Sequence, residues 1–473
     1  MTTSLAFSSA TELLERYRSG DASPVDVVRA CLAQAAKHAK LNAFALLDEE
    51  GALAAARESE ARWHRGAPAG ALDGLPVTIK DLILTRGLPT LRGSRTIDAS
   101  GPWRVDAPVT ARLKEAHAVV LGKTTTPELG WKAVTDSPLI GVARNPWDAS
   151  CTPGGSSGGA GIAAATGMGA LHVGTDGGGS IRVPASFCGI FGLKPSFGRV
   201  PAWPLSPTGT VAHLGPMTRT VADAALMMNT ITRPDARDWH ALPYDARDYL
   251  DGLDDGISGL RIAWSPRLGR FDVEPEVARI AADAVRAFAD AGASVEELDP
   301  ALPDVHAIFR VHWWIGCHNA VRGIAEEKRA LLDPGLARID RESRDLRLDD
   351  HLSAIADRAA LGATLRAFHE RFDLLVTPTV AVAPFAAGRI APEALGDVGS
   401  DWTRWASFSY PFNLTQQPAA SLPCGYTTSG LPVGLQVVGA MHEDWRVLRA
   451  ARAFERARPW RDAYARFASG SEQ

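Results

Sequence analysis

The sequence predicts an α/β fold in which a β-sheet is covered by helices, formed as a single domain over residues 1–473. Strand-like apolar runs alternate with amphipathic, helix-like segments along most of the chain. No repeat or low-complexity linker divides it. With 473 residues, of which 46% are hydrophobic and 22% charged, the chain can bury a large core.

The N-terminal part predicts three helices followed by one informative strand. Ser9 has the spacing of a capping box, Ser23 precedes a proline that begins a second helix, and a third helix covers about residues 49–65. Residues 75–80 then alternate apolar and other side chains, which predicts a strand that ends on Lys80.

The remaining elements continue the alternation of helix and strand. Helices are predicted over residues 107–116, 220–229, 275–291 and 443–456, and strands over residues 118–121, 260–264, 294–298, 374–378, 419–423 and 433–438. Residues 303–372 predict a helical excursion within the domain. Residues 60–220, which contain the unusual glycine- and serine-rich segments, form the expected catalytic core segment.

Composition excludes several classes of function. The net charge of −4 argues against a nucleic-acid-binding protein, which would need clustered cations. The five cysteines contain no C-x-x-C pair, so neither a metal site nor a disulfide framework is expected, and a reducing cytoplasm is the expected location. No signal peptide is expected, and no membrane span is expected either, because the chain has no stretch of about eighteen apolar residues.

Two glycine-rich segments, residues 153–159 and 174–182, carry the densest unusual chemistry. One interpretation is phosphate binding by converging backbone N–H groups. A P-loop, however, needs Lys after its glycine, and no Lys lies between Lys132 and Lys194. The dinucleotide fingerprint needs a preceding strand, and residues 148–153 do not resemble one.

A second interpretation is a nucleophile elbow centred on Ser157, because residues 155–159 match G-x-S-x-G. The same missing strand counts against it. That fold also needs a late histidine, and His442 stands in a polar run typical of solvated side chains.

A third interpretation joins the two segments to Lys80. A serine hydroxyl needs a base, and a lysine can serve if desolvation keeps it neutral. Lys80, at the end of an apolar strand, is the best-placed candidate. Glycines before Ser180 supply N–H groups of the kind that stabilise an oxyanion.

These segments resemble the amidase signature family, which pairs G-G-S-S-G-G with a downstream G-T-D-x-G-G-S-I-R. The likeness is dense over residues 70–220 and looser near the C-terminus. It implies a central mixed, twisted β-sheet with helices on both faces. It also implies an amidase that needs no cofactor and forms a homodimer.

The resemblance assigns roles residue by residue. It implies a triad in which Lys80 is the base, Ser156, on a cis peptide bond, relays the proton, and Ser180 is the acylated nucleophile. The expected oxyanion donors are the N–H groups of Gly177, Gly178, Gly179 and Ser180. The residues expected to support these loops are Ser157, Asp176 and Arg182.

The sequence departs from the family pattern at two places. Gly177 replaces the usual Thr before the paired glycines, and Gln416-Gln417 replaces a Gly-x pair near the C-terminus. The candidate substrate-pocket residues are Trp131, Trp203, Trp314, Gln416 and Gln417.

The expected substrates are small-molecule amides with apolar or aryl groups. Carbamates (urethanes) and esters are alternatives, because the tetrahedral chemistry is the same and only the leaving group changes. A glutamine amidotransferase-type subunit or a non-catalytic scaffold is the alternative from another class. Neither nucleic acid nor a membrane is expected as a partner.

Overall fold

The computed structural model describes residues 5–468, which form fifteen α-helices and thirteen strands. The strands are β1 (Phe44–Leu47), β2 (Pro76–Lys80), β3 (Val119–Thr124), β4 (Asp136–Ser137), β5 (Gly141–Val142), β6 (Leu171–Asp176), β7 (Phe191–Lys194), β8 (His213–Thr218), β9 (Arg261–Trp264), β10 (Ser294–Glu297), β11 (Leu374–Pro378), β12 (Ala419–Tyr426) and β13 (Pro432–Gly439). The helices are α1 (Ala10–Ser19), α2 (Pro24–Lys37), α3 (Glu49–His64), α4 (Pro108–Glu115), α5 (Gly158–Ala165), α6 (Arg182–Cys188), α7 (Val221–Ile231), α8 (Pro275–Asp290), α9 (Val305–Val321), α10 (Glu326–Arg329), α11 (Pro334–Ser343), α12 (Leu348–Arg371), α13 (Pro411–Leu414), α14 (Asp444–Ala457) and α15 (Ala465–Ala468).

Eleven of these strands form one mixed sheet in the order β1-β3-β2-β6-β8-β7-β12-β13-β11-β9-β10. Strands β3, β2 and β6 are parallel to one another, as are β11, β9 and β10. The pairs between β6 and β11, by way of β8, β7, β12 and β13, are antiparallel. The predicted α/β class, with a mixed sheet in a single domain, is confirmed.

The sheet is buried on both faces. Successive side chains of a strand point to opposite faces, and neighbours such as Leu375 and Val376, or Val437 and Val438, belong to two different apolar clusters. One cluster includes side chains of α1, α2, α7, α8 and α14, and the other includes those of α9, α11 and α12. Helices therefore cover both sides, as the sequence predicts.

Most predicted elements occur within a few residues of their expected bounds, but four strands of the sheet were not predicted: β1, β6, β7 and β8. Three of them are short and interrupted by glycine or proline, so they lack the alternation that marks a strand. The chain between β10 and β11 forms α9 to α12, in the stretch expected to be helical.

The described residues form neither a membrane-spanning helix nor a metal-binding cluster. None of their helices is long and apolar enough to cross a membrane. All five cysteines are free and buried. No cluster of three or more His, Cys, Asp or Glu side chains that could hold a metal ion occurs within residues 5–468.

Candidate active site

Two adjacent parallel strands bring the first candidate residues together. Ile79 of β2 is paired with Val173 of β6, so both strands end at the same edge of the sheet. Lys80 is the last residue of β2, and Asp176 is the last residue of β6. The expected base therefore lies beside the start of the glycine-rich loop that follows β6.

Lys80 is completely buried and surrounded by hydroxyl groups. Its Nζ lies 2.6 Å from Oγ of Ser156, 2.9 Å from Oγ of Ser157 and 2.9 Å from Oγ1 of Thr175. No carboxylate within residues 5–468 forms an ion pair with it. The lysine thus has polar partners but no directly bound counter-charge.

This environment favours the neutral amine. Burial lowers the pKa of Lys80 well below its ordinary value of 10.5, and the charge of Asp176 opposes that shift only in part. Desolvation penalises an ammonium group more than a neutral amine, because water no longer solvates the charge. A lysine of this kind can accept a proton near neutral pH.

Ser156 and Ser157 stand in a loop that leads into α5. The peptide bond between Gly155 and Ser156 is cis. Ser157 precedes the first residue of α5, and its hydroxyl accepts from Lys80 and donates to the carbonyl of Thr175 at 3.2 Å. No strand of the described chain immediately precedes this loop, which argues against the nucleophile elbow.

Ser180 lies in the loop between β6 and α6, 4% exposed. Its carbonyl accepts from the backbone N–H of Ser157 at 3.1 Å, so the two serine loops are joined. Within residues 5–468 no hydrogen bond links the hydroxyls of Ser156 and Ser180, although both line one cavity. Catalytic hydrogen bonds in enzymes without substrate are often loose in this way.

Of the four expected oxyanion donors, one is already in use. The N–H of Gly179 donates to Oδ1 of Asp176 at 2.7 Å. Those of Gly177, Gly178 and Ser180 have no acceptor in the described part of the chain. Of these three residues, Gly177 and Ser180 also line the cavity described below.

A buried ion pair holds this loop. The guanidinium of Arg182 binds Asp176 through two nitrogens, at 2.9 and 3.0 Å, and both side chains are fully buried. Asn413 donates to the same carboxylate, and Gln436 accepts from Arg182. Despite burial, the Arg182 guanidinium and these hydrogen bonds hold the pKa of Asp176 well below its usual range.

A cavity of about 240 Å³ opens in front of these loops. Ser156, Thr175, Gly177 and Ser180 lie in its wall. Much of the remainder is apolar or aromatic, formed by Leu82, Leu84, Leu129, Trp131, Phe197, Val200, Trp203, Leu214, Trp313 and Leu336. The cavity thus combines a polar corner with an apolar wall.

The expected pocket residues separate into two groups. Trp131 and Trp203 line the cavity. Trp314 does not, because it follows Trp313 on α9, where consecutive side chains diverge by about 100°. Its Nε1 donates to Glu342 instead.

Gln416 and Gln417 also lie outside the cavity lining. Gln416 donates through Nε2 to the carbonyl of Thr210, and Gln417 to that of Gly439. The two side-chain amides therefore bind backbone carbonyls and do not line the cavity.

Trp313 is the wall residue that the sequence analysis did not select. Its Nε1 donates to the carbonyl of Trp131 at 2.9 Å, which connects the helical excursion with the catalytic core segment. A Cβ placed on Gly177 would meet Cζ3 of Trp313 at 3.0 Å. The indole thus occupies the space into which the family's Thr side chain would project.

Comparison with known proteins identifies the family of this chain. The family model described as Amidase matches residues 26–448. An acylamidase of Rhodococcus erythropolis is 36% identical over 463 residues, which cover 96% of each chain. A glutamyl-tRNA(Gln) amidotransferase subunit of Myxococcus xanthus is 36% identical over 477 residues, covering 94% of this chain and 96% of the relative.

Comparison with solved structures indicates the same family. The crystal structure of a bacterial aryl acylamidase of the amidase signature family is similar with a TM-score of 0.91 and 30% identity, covering 99% of each chain. The chain belongs to the amidase signature family. It is an amidase, a hydrolase of carbon–nitrogen bonds other than peptide bonds.

Proposed function

We propose that this amidase hydrolyses small-molecule amides with apolar or aryl groups through a Ser180–Ser156–Lys80 triad and an acyl-enzyme. The observation that carries the proposal is the 2.6 Å contact between Nζ of Lys80 and Oγ of Ser156 at the wall of the cavity that Ser180 also lines. A neutral amine at that distance can take the serine proton directly.

In the acylation step the Ser180 oxygen attacks the substrate carbonyl. Its proton passes to Ser156, whose own proton passes to Lys80. The carbonyl oxygen becomes an oxyanion, for which the N–H groups of Gly177, Gly178 and Ser180 are the free donors. Ser156 then gives its proton to the leaving nitrogen, recovers one from Lys80, and the C–N bond breaks.

Deacylation repeats the relay with water. Ser156 takes a proton from the attacking water as Lys80 takes one from Ser156. The new tetrahedral intermediate collapses, Ser180 leaves as its oxygen takes a proton from Ser156, Ser156 recovers one from Lys80, and the acid is released. Ser157 supports this relay as a hydrogen-bond acceptor for Lys80, since its own proton is donated to the carbonyl of Thr175.

The apolar wall supports the substrate class. Trp131, Trp203 and Trp313 offer aromatic surface beside the catalytic corner, and aromatic pairs are stabilised beyond the area that they bury. The similarity to an aryl acylamidase structure and to an acylamidase supports the same class.

Other reactions share this chemistry. Carbamates and esters would pass through the same tetrahedral intermediate and remain alternative substrates. Similarity to a glutamyl-tRNA(Gln) amidotransferase subunit keeps glutamine as a further alternative, with the chain acting inside a complex. Cytoplasmic location and a homodimer stay predictions.

The test uses the purified chain alone with 4-nitroacetanilide, phenyl carbamate, 4-nitrophenyl acetate and glutamine. We expect release of 4-nitroaniline, and losses of at least about 10³-fold in kcat/KM for Ser180→Ala and Ser156→Ala. Ser150→Ala is the matched control, because its exposed hydroxyl stands six residues before Ser156 and, within residues 5–468, binds only Asp148 and Cys151. Glutamine turnover without anilide turnover would overturn the proposal.

A further inference from the structure

One charged side chain of the cavity has no partner. Arg92 lies in the loop after β2, lines the cavity, and is partly buried. Within residues 5–468 its guanidinium makes no hydrogen bond and has no carboxylate within 4.0 Å. A guanidinium carries five N–H donors, so this is a considerable unused binding capacity.

Asp81, the carboxylate whose charge acts on Arg92, is engaged elsewhere. Oδ1 of Asp81 lies 3.6 Å from Nζ of Lys123, and its other oxygen accepts from the N–H of Gly93 at 3.4 Å. Burial lowers the pKa of Arg92, and the charge of Asp81, which forms no ion pair with the guanidinium, opposes that shift. The positive charge is therefore only partly compensated.

The other described side chains that line the cavity do not neutralise the charge of Arg92 either. Asp238, the cavity's acidic side chain, accepts from the backbone N–H groups of Ala202 and His240. His213 donates through Nδ1 to backbone carbonyls, and burial keeps its pKa well below 6.5, so it is neutral. Within the described chain, Arg92 is the one cavity-lining cation without a hydrogen-bond acceptor.

A partly buried guanidinium is stabilised most by an anion that accepts two parallel hydrogen bonds. Carboxylates fit that geometry, and the interaction is stronger where the surroundings exclude water. We propose that Arg92 binds a carboxylate on the substrate, so that the preferred substrates are aryl amides that also carry a carboxylate. This inference rests on the proposed function, since it assigns the substrate class of the same cavity.

A purely structural role for Arg92 would give different behaviour. The carbonyl of Arg92 accepts from the N–H of Leu129 at 2.8 Å, and its backbone has a φ of 54°. If only this loop geometry mattered, replacing the side chain would affect neutral and anionic substrates alike. The informative quantity is thus the ratio of kcat/KM between the two.

The experiment compares 3- and 4-acetamidobenzoate with the uncharged 3- and 4-acetamidobenzamide. We expect the wild type to prefer the carboxylate of at least one pair about tenfold or more, Arg92→Gln to lose that preference, and Arg92→Lys to keep part of it. Arg95→Gln, which removes an exposed charge three residues along the same loop, should keep the preference. No preference in the wild type, or an unchanged preference in Arg92→Gln, would overturn the inference.

Binding separates this inference from the proposed reaction. Calorimetry on Ser180→Ala should give tighter binding of aminobenzoate than of aminobenzamide at the preferred ring position, and the double variant with Arg92→Gln should lose the difference. If the wild type hydrolyses the anilides without this selectivity, the carboxylate site is wrong and the proposed function stands. If no anilide is hydrolysed but binding depends on Arg92, the proposed function is wrong and the carboxylate site stands.

Discussion

Gly177, in the loop that follows β6, and Trp313 of α9 are packed against each other. A Cβ built on Gly177 would lie 3.0 Å from Cζ3 and 3.3 Å from Cη2 of the indole. The family usually has Thr at this position, and here the indole from α9 fills that space. The residue change in the loop and the aromatic wall of the cavity are therefore parts of one arrangement.

Restoring the family residue should accordingly harm this enzyme. Gly177→Thr should lower kcat for 4-nitroacetanilide about tenfold or more, because the new side chain must displace either the indole or the loop that carries the N–H donors. Trp313→Leu in the same chain should recover part of the loss. Gly323→Thr is the control, since nothing lies within 4 Å of its Cβ position. Full activity of Gly177→Thr would contradict the packing.

The pH dependence follows from the buried lysine. Only the neutral amine can accept a proton, so kcat/KM should rise with pH through the pKa of Lys80, which burial places well below 10.5. Lys80→Arg should be inactive at every pH, because a guanidinium does not deprotonate in this range. A profile of wild-type kcat/KM between pH 5 and 10 checks this, and a flat profile would count against Lys80 as the base.

The buried ion pair between Asp176 and Arg182 should contribute to the stability of the folded protein. Asp176→Asn leaves the buried Arg182 without its counter-charge and should lower the free energy of unfolding by about 3–5 kcal/mol in urea titrations. Asp272→Asn breaks an exposed pair, 57% and 98% exposed, and should change it by less than about 1 kcal/mol. Equal effects of the two variants would contradict the assignment.

Acid should weaken the stabilisation that the Asp176–Arg182 ion pair provides. Because the folded pKa of Asp176 lies below its ordinary 3.8, its stabilising contribution is fully present above that value and is lost as the pH falls toward the folded pKa. The difference in unfolding free energy between wild type and Asp176→Asn should be constant from neutral pH to about 5 and should shrink in stronger acid. A difference that grows on acidification would be inconsistent with the ion pair.

The aromatic wall predicts selectivity for large substrates. Trp131→Ala should raise KM for 4-nitroacetanilide by about tenfold, because it removes apolar contact area, and should affect acetamide less. Trp239→Ala is the control: that side chain is 80% exposed and is not among the cavity-lining residues. Equal changes in KM for both substrates would contradict an aryl pocket at Trp131.

The resemblance to the family selects Lys80, Ser156 and Ser180 because motif spacing is local information, and their roles stay a prediction. The sequence pattern did not predict β6, which brings Thr175 and Asp176 to Lys80, because a glycine within a six-residue strand conceals the alternation of side chains. Lys80 nevertheless ends the neighbouring strand, as its apolar pattern predicts. The candidate residues could therefore be selected from motifs, whereas the strand pairing that brings them together could not be predicted.

The substrate pocket was predicted less well, and for a geometric reason. Choosing between Trp313 and Trp314 requires the rotation of α9 about its axis, and α9 is apolar on more than one face, so periodicity does not fix it. Gln416 and Gln417 replace family residues, but both bind backbone carbonyls, which only the fold reveals. Arg92 was not selected at all; its distinguishing feature is the absence of an acceptor within residues 5–468, which no sequence pattern encodes.

The most direct test of the central claim is to trap the acyl-enzyme. Enzyme mixed with excess 4-nitrophenyl acetate is quenched in acid within milliseconds, digested and mapped by mass spectrometry. The account predicts one acetyl group on Ser180, formed rapidly by the wild type and at least about 10³-fold more slowly by Lys80→Met. The account would be contradicted if an acetyl group formed on Ser156 or Ser157 as fast as the enzyme turns over while Ser180 stayed unmodified.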